Sequence, residues 1–571
     1  MIQFVSTRMR QWRVCAASAA GATILALVTP PLALAQVTVG VGATRQVSSD
    51  TVFSAAFAGG PGQLEMDGGT LRVSNGATGQ ALGVSMLNAL LKRGVINNPY
   101  TQTGVSQLVF NGTTLLSGGP VAPFPADGMY IRASSFDSTG FQVINNGTFV
   151  QDGTGELTTQ GPVQFNNRST GVFDIRNNLG FSAGEFFGFK AFFNAGVFKK
   201  TGGTGASFVD ATFYQDGGSV AVETGSLVFS RGGYHQNSSL VADSLGSNPS
   251  GAIELRGAHT FVSTVVTGPG TVILSPASTI NLQEAGWDQR GTFVNSGHVR
   301  ISEFGILYNS GVFEEGIGGS GISGKRDGYV FRGLISNFDT GIFSSNVAPE
   351  MDGFGNEIGR LQVVNRGRFS VNAGQLVQVN DFVNENGNVI VDGMVENIGG
   401  TFQLLGGALS GNGIINGKLF VGGGPGTAKF KPGSSPGTMT IIGPFSLLPG
   451  GVLELEVERD ALTGAVRYDQ VLAESFFLDG RISFLVGAGV TEADVLGLQF
   501  LDCGGACNVQ YGGNLSYDFP GRPGSTLSLG PEGIQISALA PVPEPAMVAM
   551  LLAGMGVIGM ATRRRNQSRP T

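Results

Sequence analysis

Charge is scarce in this 571-residue chain, since Asp, Glu, Lys and Arg together make up 13% of it against a usual ~25%. The net charge is −7, and both ends are basic and free of acids, so the middle is the acidic part. No basic patch of the kind that binds nucleic acid occurs there, and no nucleic-acid partner is expected. Apolar residues still make up 41%, which excludes a disordered chain.

Glycine and phenylalanine are abundant instead. Glycine accounts for 92 residues, about 16% of the chain, against a usual ~7%, and there are 39 phenylalanines beside two tryptophans. The glycines follow no every-third-residue period, so collagen is excluded. Because the chain is too long for one ordinary core, we expect one elongated domain or several compact ones, built from short strands and tight turns.

Residues 1–35 have the three parts of a secretory signal. The basic start consists of Arg8, Arg10 and Arg13. The apolar stretch over 16–28 is shorter than the ~20 residues that span a membrane, so an uncleaved anchor is disfavoured. Small residues define the expected cleavage point, which is flanked by Ala33, Ala35 and Gln36.

Residues 541–571 form a second targeting segment. We call it and the signal at 1–35 the two address segments. It contains a Pro-Glu-Pro motif, an uncharged stretch over 546–562 and an arginine cluster, with the key residues Pro543, Glu544, Pro545, Arg563, Arg564 and Arg565. The uncharged stretch is just long enough for one short transmembrane helix, and the arginines would stay on its cytoplasmic side.

This three-part tail resembles the PEP-CTERM sorting domain of Gram-negative bacteria, a tail also grouped with ice-binding C-terminal segments. The resemblance implies recognition by an exosortase, a transient anchor in the inner membrane, cleavage near the motif, and release to the cell surface or an exopolysaccharide matrix. An ice-binding face would need ranked Thr-x-Thr pairs, and those at 101–103 and 438–440 are isolated.

A loose unit recurs between the two address segments: a polar residue, any residue, Gly, any residue, Phe. Its copies occupy 145–149, 169–173, 194–198, 309–313, 339–343 and 365–369, with looser ones at 289–293 and 397–402.

This repeat predicts an all-β chain with a parallel β-solenoid over residues 36–444. Asn and Gly accept positive φ and would turn the chain at a corner, and a short strand with one inward face would follow. Phe of one coil would stack on Phe of the next, because a single coil cannot bury its apolar face. A set of β-sandwiches is the alternative, but a repeated turn-plus-Phe signature favours the solenoid.

A short helix is expected over 81–93, where Leu87, Leu90 and Leu91 lie near helical spacing and Gly94 follows. Such a helix would cover the open strand edge of the first coil.

Residues 411–485 are similar to the end of autotransporter-type passenger repeats. The similarity rests on a Pro-Gly-Ser-Ser-Pro-Gly turn at 432–437, on 453–457 and on 468–472. It implies a β-helical surface stalk and no catalytic residue. A β-rich cap is expected over 445–540. In a secreted chain, Cys503 and Cys507 are expected to form a disulfide; a metal site is the alternative, although no histidine lies nearby.

Two segments match the sequence patterns of enzyme sites, but each lacks a group that the chemistry of such a site requires. The segment 433–437 matches Gly-x-Ser-x-Gly, but Pro436 lacks the N–H that the oxyanion hole of such a site requires. The segment 319–325 nearly matches a phosphate-binding loop, but Arg326 replaces the Ser or Thr that would bind the metal ion.

Metal-ligand patterns are missing as well. His235, His259 and His298 are widely separated and are expected to be solvated coil residues. Glu350, Asp352 and Glu357 lack the spacing of an EF-hand and are expected in a solvated loop. No catalytic residue, metal or cofactor is expected.

These features predict an exported structural or adhesive protein of the surface or matrix. Its expected partners are an exosortase, exopolysaccharide and other surface proteins. The alternative is a secreted polysaccharide lyase or glycosidase on a β-helix. Pectin hydrolases of that fold resemble one another through Asn-x-Asp, Asp-Asp and Gly-His-Gly motifs, of which this chain has only Asn337-Phe338-Asp339. No carboxylate pair stands out for the ~5–10 Å separation that glycoside cleavage requires.

Overall fold

The computed structural model describes residues 141–542 with short gaps, and separate strand segments before them. The gaps are 162, 184–190, 244–250, 284–285, 303, 318, 325–333, 352–356, 434–435, 506 and 532. The earlier segments are 37–38, 43–48, 51–53, 58–59, 62–73, 83–86, 88–98, 106–118 and 128–133.

The described residues form strands almost throughout. The first group is β1 (Val37–Thr38), β2 (Thr44–Val47), β3 (Thr51–Phe53), β4 (Ala58–Gly59), β5 (Gln63–Val73), β6 (Gly83–Met86), β7 (Asn88–Asn98), β8 (Ser106–Phe110), β9 (Thr113–Leu116), β10 (Gly128–Ala133), β11 (Phe141–Asn145), β12 (Thr148–Gln151), β13 (Glu156–Gln160), β14 (Val163–Asn167), β15 (Val172–Ile175), β16 (Gly180–Ala183), β17 (Ala191–Asn194), β18 (Val197–Lys200), β19 (Ala206–Asp210), β20 (Thr212–Asp216), β21 (Ser219–Val222) and β22 (Ser226–Phe229).

The second group follows in chain order. It is β23 (Gly233–Ala242), β24 (Ala252–Leu255), β25 (Ala258–Thr267), β26 (Thr271–Leu274), β27 (Thr279–Leu282), β28 (Trp287–Gln289), β29 (Thr292–Asn295), β30 (His298–Ile301), β31 (Ile306–Asn309), β32 (Val312–Glu315), β33 (Ile322–Gly324), β34 (Leu334–Asn337), β35 (Ile342–Ser344), β36 (Val347–Met351), β37 (Glu357–Gly359), β38 (Leu361–Asn365), β39 (Arg368–Val371), β40 (Leu376–Asn384), β41 (Asn388–Val391), β42 (Met394–Leu404), β43 (Gly407–Gly411) and β44 (Ile414–Val421).

The last group contains the one helix of the described residues. It is β45 (Ala428–Pro432), β46 (Thr438–Leu447), β47 (Gly451–Arg459), β48 (Val466–Tyr468), β49 (Gln470–Leu478), β50 (Arg481–Val486), α1 (Glu492–Val495), β51 (Leu501–Asp502), β52 (Val509–Tyr511), β53 (Ser516–Asp518), β54 (Thr526–Gly530) and β55 (Gly533–Ala538).

Each coil contributes one strand to each of three sides. Thus β11, β12 and β13 pair in parallel with β14, β15 and β16 of the next coil. Long strands such as β23 and β25 turn a corner and serve two sides. The predicted all-β chain of stacked parallel strands is confirmed.

Phenylalanines stack inside the coils as the repeat predicts. Phe149, Phe173 and Phe198 lie in one register, with 5.0 Å between successive ring centroids and nearly parallel planes. A second stack runs through Phe293, Phe313, Phe343 and Phe369. Aromatic pairs of this kind add about 0.5–1.5 kcal/mol each beyond their buried area.

Asparagines form an internal ladder that the sequence analysis did not identify. The Nδ2 of Asn145 donates to Oδ1 of Asn167 and the Nδ2 of Asn167 to Oδ1 of Asn194, each at 2.8 Å. A second ladder joins Asn309, Asn337, Asn365 and Asn384. Because a carboxamide both donates and accepts, one asparagine per coil satisfies the next, which makes the burial of these polar groups tolerable.

The repeat glycines have a different role from the predicted one. Gly147, Gly171 and Gly196 do not adopt positive φ. A Cβ on Gly147 would lie 2.1 Å from the carbonyl oxygen of Gly112, and one on Gly196 2.2 Å from those of Arg168 and Gly171. These positions therefore need glycine because adjacent coils approach too closely for a Cβ.

The predicted helix over 81–93 is wrong. Its described residues form β6 and the start of β7, with Ala89 and Leu91 buried and Leu90 between them half-buried. The period is thus two, because pairing with β5 and β9 outweighs the local helical spacing.

Parallel pairing continues through the region predicted as a cap. The boundary expected at residue 444 falls inside β46, and parallel strands continue to β53. The antiparallel hairpin β54–β55 follows. Within it, Ile534 and Ile536 are buried.

Replacing Gly196 with alanine tests the close approach of the coils. Gly196→Ala is expected to destabilise the protein by roughly 1–3 kcal/mol, because the new methyl group overlaps two carbonyl oxygens. Urea unfolding followed by circular dichroism measures the change. Gly513→Ala is the control, since nothing lies within 4 Å of a Cβ there. Equal midpoints for the two variants would contradict the packing argument.

Candidate functional site: buried polar groups and the C-terminal tail

His235 and His259 form a buried pair, so the expectation of solvated coil residues is wrong for both. His235 Nε2 lies 3.1 Å from His259 Nδ1. The outer nitrogens lie 3.0 Å from Gln215 Oε1 and 3.1 Å from the Arg256 carbonyl oxygen. Gln215 and His235 continue the column of Asn145, Asn167 and Asn194 by register, so the pair extends a structural ladder. No signal in the sequence indicated this, because the coil register was unknown.

Burial sets the charge of this pair. Both imidazoles are completely inaccessible to solvent. Burial lowers the pKa of His235 well below its ordinary value, and lowers that of His259 to about 4. Both rings are therefore neutral near pH 7.

Lys200 is a buried cation that the sequence analysis missed. Its Nζ donates to the carbonyl oxygens of Asn177 and Gly202, each at 2.7 Å, and to Ser207 Oγ at 3.0 Å. Burial lowers its pKa to about 8. The ammonium group satisfies corner carbonyls between two sides of the coil, which is a structural role.

The motif Asn337-Phe338-Asp339 does not form a carboxylate site. Asn337 is buried in the second asparagine ladder, where its Nδ2 also donates to the carbonyl oxygens of Gly341 and Arg368. Asp339 is exposed at the turn that follows. The two residues thus have separate surroundings, and the asparagine is used by the fold.

Two other candidate motifs, the near phosphate-binding loop and the acidic cluster, contribute described residues to strands. Ile322–Gly324 of the near phosphate-binding loop is the buried strand β33. Glu350 and Glu357 lie on the antiparallel pair β36 and β37, and Asp352 lies outside the described residues. Over the described part of the chain, no three His, Cys, Asp or Glu side chains gather as a metal site requires.

Among the described residues, Asp469 has the carboxyl group with the most strongly shifted pKa. Burial raises its pKa to about 7, and Glu456 and Glu454 add to the rise. Its Oδ1 and Oδ2 accept the backbone N–H groups of Gly437 and Glu456, both at 2.8 Å. Because both oxygens are occupied and the residue is buried, Asp469 ties the turn after β45 to β47. This contact joins the three segments of the autotransporter-like pattern, 432–437, 453–457 and 468–472.

The chain is anchored up to the start of the tail. Cys503 and Cys507 form a disulfide, with 5.1 Å between their Cα atoms. After β55, Leu539 is buried, and the N–H of Ala540 donates to Ser525 Oγ at 2.9 Å. Val542, the last described residue, is exposed.

The segment that begins at this point has a recognisable family. Residues 541–565 match the family described as the PEP-CTERM protein-sorting motif. The chain carries a PEP-CTERM sorting motif. A comparison with curated proteins found none that matches this chain. The PEP-CTERM motif indicates an exosortase-dependent protein of the cell surface or the extracellular space.

The residues expected to act in sorting and export lie outside the described part of the chain. They are Pro543, Glu544, Pro545, Arg563, Arg564 and Arg565 in the PEP-CTERM tail, and Ala33, Ala35 and Gln36 at the expected signal cleavage point. The transmembrane helix expected over 546–562 also lies outside it. Within the described residues, no helix is long and apolar enough to cross a membrane.

The histidine pair predicts a loss of stability in acid. The unfolded chain binds protons near pH 6.5, whereas the buried rings bind them only at lower pH, so stability falls as the pH drops from 7 towards 4. For His259 the loss is of order 3 kcal/mol. Urea midpoints at several pH values measure it.

A double variant identifies the source of this slope. His235→Phe combined with His259→Leu is expected to remove most of the loss of stability between pH 7 and pH 4. The control His298→Gln changes a half-buried histidine outside the pair, and it is expected to leave that loss unchanged. An unchanged slope in the double variant would contradict the assignment.

Asn337 and Asp339 are expected to respond differently to truncation. Asn337→Ala should cost about 1–3 kcal/mol, because buried hydrogen-bonding groups of the ladder lose their partner. Asp339→Ala should change stability by less than about 0.5 kcal/mol, because the side chain is exposed. Urea unfolding of both variants measures the difference, and equal losses would contradict the ladder assignment.

Proposed function

We propose that the protein is a structural or adhesive component of the cell surface or extracellular matrix and acts without catalysing a reaction. The PEP-CTERM motif next to a body of stacked parallel strands carries this proposal. After export through the signal at 1–35, the tail would hold the chain in the inner membrane until an exosortase cleaves near Pro543-Glu544-Pro545. The body would then associate with exopolysaccharide or other surface proteins.

The environment of the polar groups supports a non-catalytic body. The groups whose pKa burial shifts most strongly, Asp469, Lys200, His235 and His259, are bonded to the fold. Outward acids such as Asp210 and Glu385 lie in ion pairs with Arg231 and Arg366 across adjacent coils. The second candidate is a secreted polysaccharide lyase or glycosidase, for which Asp469, with its pKa raised to about 7 by burial, would be the carboxyl group to test.

The C-terminus of the protein from its own host tests the sorting step. Mass spectrometry of surface and matrix fractions should find a chain that ends near Pro545 and lacks 546–571. A variant with alanine at Pro543, Glu544 and Pro545 should keep its tail and stay in the inner-membrane fraction. Gln567→Ala, outside the matched residues, is the control. An intact wild-type chain in the inner membrane would indicate a tail-anchored periplasmic protein instead.

Incubation with the exopolysaccharide of the host separates the two candidates. Retention of the protein on the polymer without chain shortening is expected. New reducing ends or unsaturated products would favour the enzyme, and Asp469→Asn would then be the first variant to assay.

A further inference from the structure

One outer column of the solenoid has aromatic residues in three successive coils. Phe193 of β17 pairs with Tyr214 of β20, and Tyr214 pairs with Tyr234 of β23. The neighbours Phe192, Phe213 and His235 are buried. Strand alternation therefore directs these three aromatics outward, where they are half-buried. We call Phe193, Tyr214 and Tyr234 the aromatic strip.

Phe193 and Tyr214 stack along the direction in which the coils stack, and Tyr234 lies in register one coil further. The centroids of Phe193 and Tyr214 are 5.0 Å apart, with 16° between the ring planes. At about 4.8 Å per coil, three coils cover roughly 10 Å. The core does not require aromatics here, because these positions lie on the outer side of the sheet.

Uncharged hydrogen-bonding groups lie in the coils before and after the strip. Two residues earlier on the same side of the solenoid, Gln107, Gln142 and Gln164 form a column, and Gln107 Nε2 donates to Gln142 Oε1 at 3.2 Å. In the next two coils this column passes through Ala191, beside Phe193, to Thr212, beside Tyr214. After Tyr234 the strip itself passes into Thr260 and Asn281. Amides thus precede the rings along the stacking direction, a hydroxyl lies beside Tyr214, and a hydroxyl and an amide follow Tyr234.

We propose that the aromatic strip binds an uncharged polysaccharide. The C–H faces of pyranose rings are weakly positive and stack on the negative faces of aromatic rings, and the flanking amides and hydroxyls can bond to sugar hydroxyls. The three rings and the residues two positions to either side of them include no cation, and the column reaches one only at Arg300, three coils beyond Tyr234. Asp216 lies beside Tyr234, and the chain has a net charge of −7. An acidic polymer would therefore be repelled, which selects an uncharged one.

This inference rests on the proposed matrix function and names the contact surface for it. Affinity electrophoresis of the full-length protein tests the proposed binding. The native gels contain either the uncharged polymer glucomannan or the acidic polymer alginate. Glucomannan is expected to retard the wild type and alginate is not. In Tyr214→Ala/Tyr234→Ala, half-maximal retardation should need about tenfold more glucomannan.

The chain offers a matched control pair. Tyr308 and Phe338 are also half-buried and stacked, with 6.0 Å between their ring centroids, but they lie on another side of the coil. Tyr308 pairs in register with Asp288, and Asp288 forms an ion pair with Arg290. Tyr308→Ala/Phe338→Ala is expected to bind as the wild type does. Tyr214→Phe/Tyr234→Phe should retain most binding, because the rings remain. Circular dichroism melting of each variant verifies that it is folded.

Two results would overturn the proposal: no retardation of the wild type by glucomannan, or equal binding by the strip variant and the wild type. Retardation by alginate alone would overturn the commitment to an uncharged polymer. The matrix function would survive any of these results if the processed protein is still recovered from the matrix fraction. It would fail separately if the intact wild-type chain stays in the inner membrane.

Discussion

Parallel register between successive coils, interrupted by shifts within a few long strands, is the constraint on which the rest of the structure depends. In a parallel ladder each residue lies directly over its counterpart, about 4.8 Å away. An inward position must therefore hold a side chain that packs well against the residues directly above and below it, and a side chain that packs well against a copy of itself can be repeated. Phenylalanine meets this condition by ring stacking, as in Phe173 on Phe149, and asparagine meets it by a hydrogen bond from each carboxamide to the next.

The same constraint explains the unusual buried groups. Gln215, His235 and His259 come after Asn194 at one corner, and each has a donor and an acceptor as asparagine does. Lys200 satisfies carbonyl groups at another corner. Groups that would suggest catalysis in a compact enzyme thus serve here to close the corners of the coil. Reactive chemistry is not needed to account for their burial.

The body and the tail contribute different things to function. The tail carries the PEP-CTERM motif, which implies processing by an exosortase, and the body anchors the chain up to Ala540. The body supplies repeated outer columns, so a useful outward residue can be copied from coil to coil. Successive aromatic rings at Phe193, Tyr214 and Tyr234 are one outcome of that repetition.

The sequence by itself determined the all-β class, the stacking of phenylalanines and the PEP-CTERM motif, because each depends on local order or on a repeat that can be read in one dimension. Tertiary structure decided what depends on register. It placed the asparagines one above another, buried His235 and His259 against expectation, and turned the predicted helix near Leu91 into strands. It also showed that Gly147 and Gly196 are required by close contact between coils and not by positive φ. Coil lengths vary with insertions between strands, so spacing along the chain does not reveal which residues lie above one another.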